Sequence, residues 1–253
     1  MPSLNVDGQT LHYVETGGAT PTAVFLHGAG GGWGTWTRQL EGLADAGRMI
    51  ALDLPGHGAS SGDGCRTVAD YAAVVQGFIR ALGAGPVVLA GHSMGGGIAQ
   101  TVALAAPSLL RGIALVGTGA RLRVFPKLLE LLGSSYPAAV DFVNQYAWSP
   151  ASAAALKDGG RRAMLETRAP VTAGDFRACD AFDVMARLAE ITVPALVIVG
   201  EDDQLTPVKY SEHLAGQIPG ATLVRIRRAG HYVMLEQPDE VNLAIRRFLA
   251  VVK

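Results

Sequence analysis

The stretch Val87-Val88-Leu89-Ala90-Gly91-His92-Ser93-Met94-Gly95 constrains this chain more than any other. A short apolar run, the pattern of a buried strand, ends in Gly91-His92-Ser93-Met94-Gly95, which fits G-x-S-x-G. An apolar segment from Ile98 to Ala106 then reads as a buried helix. A serine on a sharp turn between strand and helix has a strained backbone, and bulky residues at 91 and 95 would clash with the neighbouring turn. Such a turn lifts Ser93 Oγ to the end of the sheet, beside the positive end of the following helix. A glycine-rich turn with an incidental serine would match the five letters but not their placement.

Other apolar runs frame this one. Residues 10–16 alternate as a sheet-edge strand would, and Thr22-Ala23-Val24-Phe25-Leu26 is a run for a strand covered on both faces. It stops at His27-Gly28-Ala29-Gly30-Gly31-Gly32. That cluster has neither the lysine of a Walker A loop nor the third glycine of a dinucleotide fingerprint, where Trp33 stands. Its use is flexible backbone whose N–H groups can point at a developing anion. Trp33 and Trp36 open an amphipathic stretch to about Ala46, where they either line a pocket or pack helix on sheet. Arg48–Leu52 is a strand ending in Asp53-Leu54-Pro55-Gly56-His57-Gly58-Ala59-Ser60. Thr67 to Leu82 is a helix capped by Thr67 with Asp70. Strands follow at 112–117, 194–200 and 222–226, a helix is expected from Pro207, and another over 238–251.

Between residues 120 and 188 the alternation of strand and helix breaks. Leu122, Val124, Phe125, Leu128 and Leu131 are too apolar for a simple connection, and Pro126, Pro137, Pro150 and Pro170 divide the segment into short helices. The reading is a helical cap at 120–188 inserted in a core formed by 1–119 and 189–253. Arg161, Arg162 and Arg168 belong on solvated faces, and Cys179 is an inert thiol.

The 253 residues carry 21 basic and 22 acidic side chains, a balance that points away from nucleic acid or an anionic membrane as partner. Two cysteines make no disulfide framework. The start, Met1-Pro2-Ser3-Leu4-Asn5-Val6-Asp7, shows no signal peptide, and the apolar span at 98–106 is too short to cross a bilayer. A cytoplasmic address is expected by default. The six histidines show no H-E-x-x-H and no close pair, so no metal is expected.

The polar candidates Gly28, Asp53, Ser93, the Glu201-Asp202-Asp203 cluster and His231 each follow an apolar strand, and in an open α/β sheet ligands bind outside those strand ends. A serine nucleophile needs a base within reach and an acid to orient it. Ser93 is the nucleophile and His231 the base. Adjacent side chains on extended backbone diverge, so only one of Asp202 and Asp203 can serve His231. The oxyanion donors are expected to be the N–H groups of Ala29 and Met94, both at bends.

Four pieces carry a family resemblance: His27-Gly28-Ala29-Gly30; Asp53 to Ser60; Gly91 to Gly96; and Gly200-Glu201-Asp202-Asp203 running to Pro207, with Gly230-His231 downstream. With serine, acid and histidine in that order, the chain resembles the α/β-hydrolase superfamily, in its small-molecule esterase, lactonase and C–C hydrolase branch, from about Thr10 to Leu249. The resemblance implies an α/β fold with an eight-stranded, mostly parallel sheet, helices on both faces, the cap between strands six and seven, and no cofactor. Its pattern G-x-x-D-x-x-x-P puts the acid at Asp203, and it makes His27 structural.

The expected function is hydrolysis of a small, mostly apolar carboxylic ester or lactone through an acyl-enzyme. The alternatives are a C–C hydrolase acting on a ring-fission diketone and a non-catalytic binding protein on the same scaffold. His92 and Tyr232 depart from the asparagine and tryptophan frequent in C–C hydrolases. The partner is a small-molecule substrate, and the chain is a monomer or homodimer.

Overall fold

The most apolar runs of the chain lie at the middle of its sheet. The computed structural model describes residues 2–18 and 20–252; Met1, where the reading of the N-terminus begins, Ala19 and Lys253 lie outside the described residues. Among the described residues the strands are β1 (Ser3–Val6), β2 (Gln9–Thr16), β3 (Thr22–Leu26), β4 (Arg48–Leu52), β5 (Val87–His92), β6 (Leu110–Val116), β7 (Ala195–Gly200) and β8 (Thr222–Ile226). They form one eight-stranded sheet in the order β1-β2-β4-β3-β5-β6-β7-β8. The β1–β2 and β2–β4 pairs are antiparallel, and all later pairs are parallel. β3 and β5 are buried at every position, as strands covered on both faces must be.

The helices are α1 (Thr37–Gly42), α2 (Val68–Leu82), α3 (Met94–Ala105), α4 (Pro126–Ser134), α5 (Tyr136–Ala147), α6 (Ala154–Glu166), α7 (Ala169–Ala181), α8 (Val208–Gln217), α9 (Val233–Glu236) and α10 (Pro238–Val251). Side chains alternate across the strands and so feed two cores. Val24 and Leu89 pack with Phe78 of α2, Ile98 of α3 and Leu214 of α8. Phe25 and Val88 pack on the other face with Trp36, Leu40 of α1 and Ile245 of α10. α2 starts in the expected capping box, Thr67 with Asp70, and ends at Gly83 in the left-handed conformation.

Several expectations are corrected. β2 is no edge strand: β1 lies outside it, because the chain turns back at Asp7-Gly8. α3 begins at Met94 rather than Ile98, since Gly95 and Gly96 are needed for close packing: a Cβ at Gly95 would stand 2.5 Å from Leu26 O. Pro126, Pro137 and Pro170 do divide the segment into short helices, each standing in the first turn of α4, α5 or α7, where the missing N–H costs nothing. Pro207 precedes α8 instead of starting it. Trp36 is wholly buried against Phe25, with ring centroids 5.0 Å apart, so it packs helix on sheet, whereas Trp33 borders a cleft. Residues 126–181 leave the sheet as four helices, α4 to α7, between β6 and β7. No helix among the described residues is long and apolar enough to cross a membrane.

Candidate active site

Ser93 sits between β5 and α3 with φ 52° and ψ −116°, a conformation that side chains other than glycine rarely adopt. Such strain costs about 1–3 kcal/mol and persists only where neighbours overdetermine it. Here Ser93 N–H donates to Val116 O at 3.0 Å, and Ser93 O accepts from Gly96 N–H at 2.9 Å, Gly97 N–H at 3.2 Å and Thr118 Oγ1 at 2.7 Å. A Cβ at Gly91 would lie 2.1 Å from Gly95 O, so the turn closes only on glycine. Met94 opens α3, and its N–H is among the first-turn amides that no helical carbonyl can satisfy.

His231 follows β8 and is nearly buried, with an exposure of 5%. Its Nδ1–H donates to Asp203 Oδ2 at 3.0 Å, which turns Nε2 the other way. Asp203 Oδ1 accepts from Thr206 N–H at 2.8 Å and Leu205 N–H at 2.9 Å, while Thr206 Oγ1 donates to Asp203 Oδ2 at 2.8 Å. The Asp203 carboxylate is therefore locked before it meets the imidazole. Asp202 diverges, as extended backbone requires, and accepts from Ser149 Oγ at 2.5 Å. Ser93 and His231 border the same cavity with no hydrogen bond between their side chains, a common state of such pairs without substrate.

The loop after β3 supplies the facing wall. Gly31 N–H donates to Gly28 O at 3.1 Å and Gly30 N–H to Asp175 Oδ2 at 2.9 Å; among the described residues Ala29 N–H is given to no protein acceptor. A Cβ at Gly28 would stand 3.0 Å from His92 Nδ1 and 3.1 Å from Ser93 Cβ, so this loop reaches the serine only as glycine.

Three buried histidines surround the site in two charge states. His27 Nδ1–H donates to Gly28 O at 2.8 Å and its Nε2 accepts from Leu54 N–H at 3.1 Å, the pattern of a neutral ring. Burial, and after it the charge of nearby His57, hold His27 well below its ordinary value of 6.5. His92 donates from Nε2 to His231 O at 3.0 Å and is likewise held low, by burial first and then by the His231 ring. His57 differs. Burial pushes it down, but the hydrogen bond and charge of Asp175 outweigh that and raise it. Both its ring nitrogens face acceptors, Pro55 O at 3.0 Å and Asp175 Oδ2 at 2.8 Å, so it carries two protons. His57 is thus a buried ion-pair partner of Asp175 and does not border the cavity at Ser93. Cys179 is buried and its thiol is pushed far up, first by burial.

The cavity at Ser93 has a volume of about 70 Å³. Leu128, Val143, Phe176 and Leu205 give it apolar walls, and Arg123 is the one guanidinium on them among the described residues. Arg123 Nη1 is already committed to Asp180 O at 2.8 Å. A larger cleft of about 810 Å³ adjoins it, sharing Gly31, Thr35, Met164 and Tyr232 as walls. Tyr232 stacks on Trp148, with ring centroids 4.7 Å apart. No group of three His, Cys, Asp or Glu side chains among the described residues is placed to hold a metal ion. The helices between β6 and β7 also touch the histidine loop: His231 N–H donates to Ala147 O at 2.7 Å.

Sequence reasoning brought Ser93, Asp203, His231, Ala29 and Met94 to one strand-end region. It missed Thr206, whose signal was its place three residues after an aspartate that needs local donors. It also missed Thr118 and Asp175, whose partners lie far away in the chain.

Residues 23–244 match the Alpha/beta hydrolase family. The chain is 31% identical over 261 residues to the 2-hydroxy-6-oxononadienedioate/2-hydroxy-6-oxononatrienedioate hydrolase 1 of Dechloromonas aromatica, covering 94% of this chain and 90% of that protein. Among solved structures, a thermophilic esterase superposes with a TM-score of 0.89 at 36% identity, over 99% of this chain and 97% of that one. The enol-lactonase from Burkholderia xenovorans superposes with a TM-score of 0.92 at 26% identity, over 98% of this chain and 100% of that one.

Proposed function

The chain belongs to the alpha/beta hydrolase family, and from that premise we propose that it is a serine hydrolase of short-chain, mostly apolar carboxylic esters or lactones. The observation that carries this reading is the strained Ser93, bordering one cavity with a His231 ring whose Nδ1 is bonded to Asp203. In this reading Ser93 Oγ attacks the acyl carbon as His231 Nε2 takes its proton, and Asp203 steadies the imidazolium. The oxyanion rests on the N–H groups of Ala29 and Met94, each worth about 3 kcal/mol at the barrier. His231 then protonates the leaving oxygen, and water deacylates Ser93 by the same route.

Residues 120–188 form the cap of this reading and set the substrate. A cavity of about 70 Å³, several times the ~10–15 Å³ that one water needs by that measure, fits an acyl chain of a few carbons. The larger cleft beside it receives the leaving group. The likeness to the Dechloromonas hydrolase favours C–C cleavage as the second reading. Against it, the cavity is lined mainly by apolar side chains, with Arg123 as its single guanidinium among the described residues.

The test is a purified-enzyme comparison of p-nitrophenyl esters, simple lactones and a dienone ring-fission product, with Ser93→Ala alongside. Short esters or lactones should be the best substrates, and Ser93→Ala should lose at least about 10³-fold in turnover. A dienone preferred to the best ester by about a hundredfold, more than one pocket contact explains, would replace this reading with the second.

A further inference from the structure

Asp175 is a fully buried acid of α7, far from Ser93 in the chain, and the mechanism above gives it no role. It accepts from three donors: Gly30 N–H at 2.9 Å, His57 Nε2–H at 2.8 Å and Tyr71 Oη–H at 2.5 Å. Gly30 is the residue after Ala29. Its carbonyl is held as well, by Thr167 Oγ1 at 3.0 Å, from the end of α6. Tyr136 Oη lies 2.5 Å from Met164 O, 2.9 Å from Thr167 O and 3.0 Å from Thr172 Oγ1, so it ties the end of α6, where Thr167 sits, to α7, which carries Asp175.

Both peptide groups of Gly30 are therefore held from the inserted helices, the second also by the loop's own Gly31 N–H on Gly28 O at 3.1 Å. Gly30 has φ +64°, and a Cβ there would stand 2.9 Å from Thr172 Cγ2, so any other residue would be strained and would press on the clamp. The Ala29–Gly30 peptide plane starts one Cα from the Ala29 N–H. A shift of that plane moves Ala29 Cα, and with it the Gly28–Ala29 peptide that carries the N–H, and a misplacement of a fraction of an ångström is enough to weaken a preorganised donor. A carboxylate so close to a developing negative charge would oppose it if unpaired. The doubly protonated His57 ring at 2.8 Å neutralises it.

We propose that Asp175 is a positioning residue of the hydrolytic reaction, through which the cap holds the oxyanion-binding loop at Gly30 in working shape, with Thr167 as its second point of attachment. The proposal rests on the reading of Ala29 N–H as an oxyanion donor. On this view the cap contributes to the transition state as well as to the pocket wall.

The test compares Asp175→Asn, Thr167→Val and Thr167→Ser with the parent on p-nitrophenyl butyrate. Competent sites are counted by fluorophosphonate titration, and butylboronic acid serves as a tetrahedral probe of the hole. Asp175→Asn should lower kcat per titrated site by about 10- to 100-fold, less than or equal to the loss of a whole donor, with KM within about twofold. The Ki of butylboronic acid should rise by about the same factor, since it reads the same transition-state contact. Thr167→Val should shift both in the same direction, and Thr167→Ser, which keeps the hydroxyl, should restore them. A kcat within about twofold of the parent in both Asp175→Asn and Thr167→Val, or a fall in kcat with an unchanged boronate Ki, would overturn the proposal. If Asp175→Asn does not fold, the Thr167 pair decides by the same criteria. A parent whose activity survives Ser93→Ala would instead overturn the serine-hydrolase reading.

Discussion

Asp202 and Asp203 are neighbours in the chain, yet their carboxylates serve different structures. Asp203 Oδ2 takes the His231 Nδ1–H at 3.0 Å, whereas Asp202 Oδ2 takes the hydroxyl of Ser149 at 2.5 Å. Asp203→Asn should lower turnover by about 10⁴-fold, the size seen when an amide leaves the base in the wrong tautomer. Asp202→Asn keeps an acceptor for Ser149 and should change turnover by less than about threefold, within the range of a single neutral hydrogen bond. Steady-state kcat on p-nitrophenyl butyrate distinguishes them; collapse of the Asp202 variant alone would reverse the assignment.

Glycines 91 and 159 predict opposite outcomes for the same substitution. A Cβ at Gly91 would meet Gly95 O at 2.1 Å and Gly96 N at 2.5 Å, both backbone atoms that cannot give way. Gly91→Ala should cost about 3 kcal/mol or more and remove activity with it. Gly159 lies inside α6 with nothing within 4 Å of its added Cβ. Gly159→Ala should gain about 0.5–1 kcal/mol from helix propensity. Urea unfolding of the two variants is the check.

The buried histidines make stability fall on both sides of neutrality. His27 and His92 have folded values depressed from 6.5, so their contribution is complete above 6.5. It is lost as the pH falls toward their folded values, because the unfolded chain takes up two protons that the native state refuses. Each should contribute a slope of up to about 1.4 kcal/mol per pH unit. His57 is raised from 6.5, so its contribution is complete below 6.5 and is lost as the pH rises through its folded value. Urea unfolding between pH 5 and 9 should trace this dome, and His57→Asn should flatten its alkaline limb and, by removing a charge that helps hold His27 low, soften the acid limb as well.

Val143 is one of the apolar walls of the cavity that the proposed function gives to the acyl chain. It is buried, on α5, and borders the space at Ser93. Val143→Ala should raise the preference for hexanoate over butyrate esters by about fourfold per methylene newly admitted, at ~0.8 kcal/mol each. Val143→Phe should restrict turnover to acetate. Ratios of kcat/KM along a p-nitrophenyl ester series measure both, and an unchanged ratio in Val143→Ala would place the acyl chain elsewhere.

What could be read from the chain was what its short-range pattern dictates. The run ending at Ser93 forces strand, turn and helix in one reading, and the alternation of apolar runs with helical stretches marks an α/β sheet, whose mostly parallel order the family resemblance implied. Thr67 and Asp70 announced their helix in four letters. The misreadings occur where tertiary packing overrides local preference. Gly95 and Gly96 speak against a helix by propensity, but α3 needs them to approach Leu26 O and Thr118. Asp175 has no distinguishing neighbours in sequence, and its partners Gly30, His57 and Tyr71 lie 145, 118 and 104 residues away. No window along the chain contains that information.

The contact between Gly230 and the end of α5 bears on how such a chain can be recombined with its relatives. A Cβ at Gly230 would lie 2.7 Å from Ser149 N and from Trp148 C, and the next N–H, that of His231, is taken by Ala147 O at 2.7 Å. Residues 147–149 thus carry the backbone register of the histidine loop while belonging to the inserted segment. A chimaera that imports another protein's helices between β6 and β7 imports a new seat for His231 along with a new pocket. Specificity grafts with crossovers near residues 120 and 188 should therefore lose turnover even on substrates both parents accept, and crossovers that retain Ala147, Trp148 and Ser149 should not.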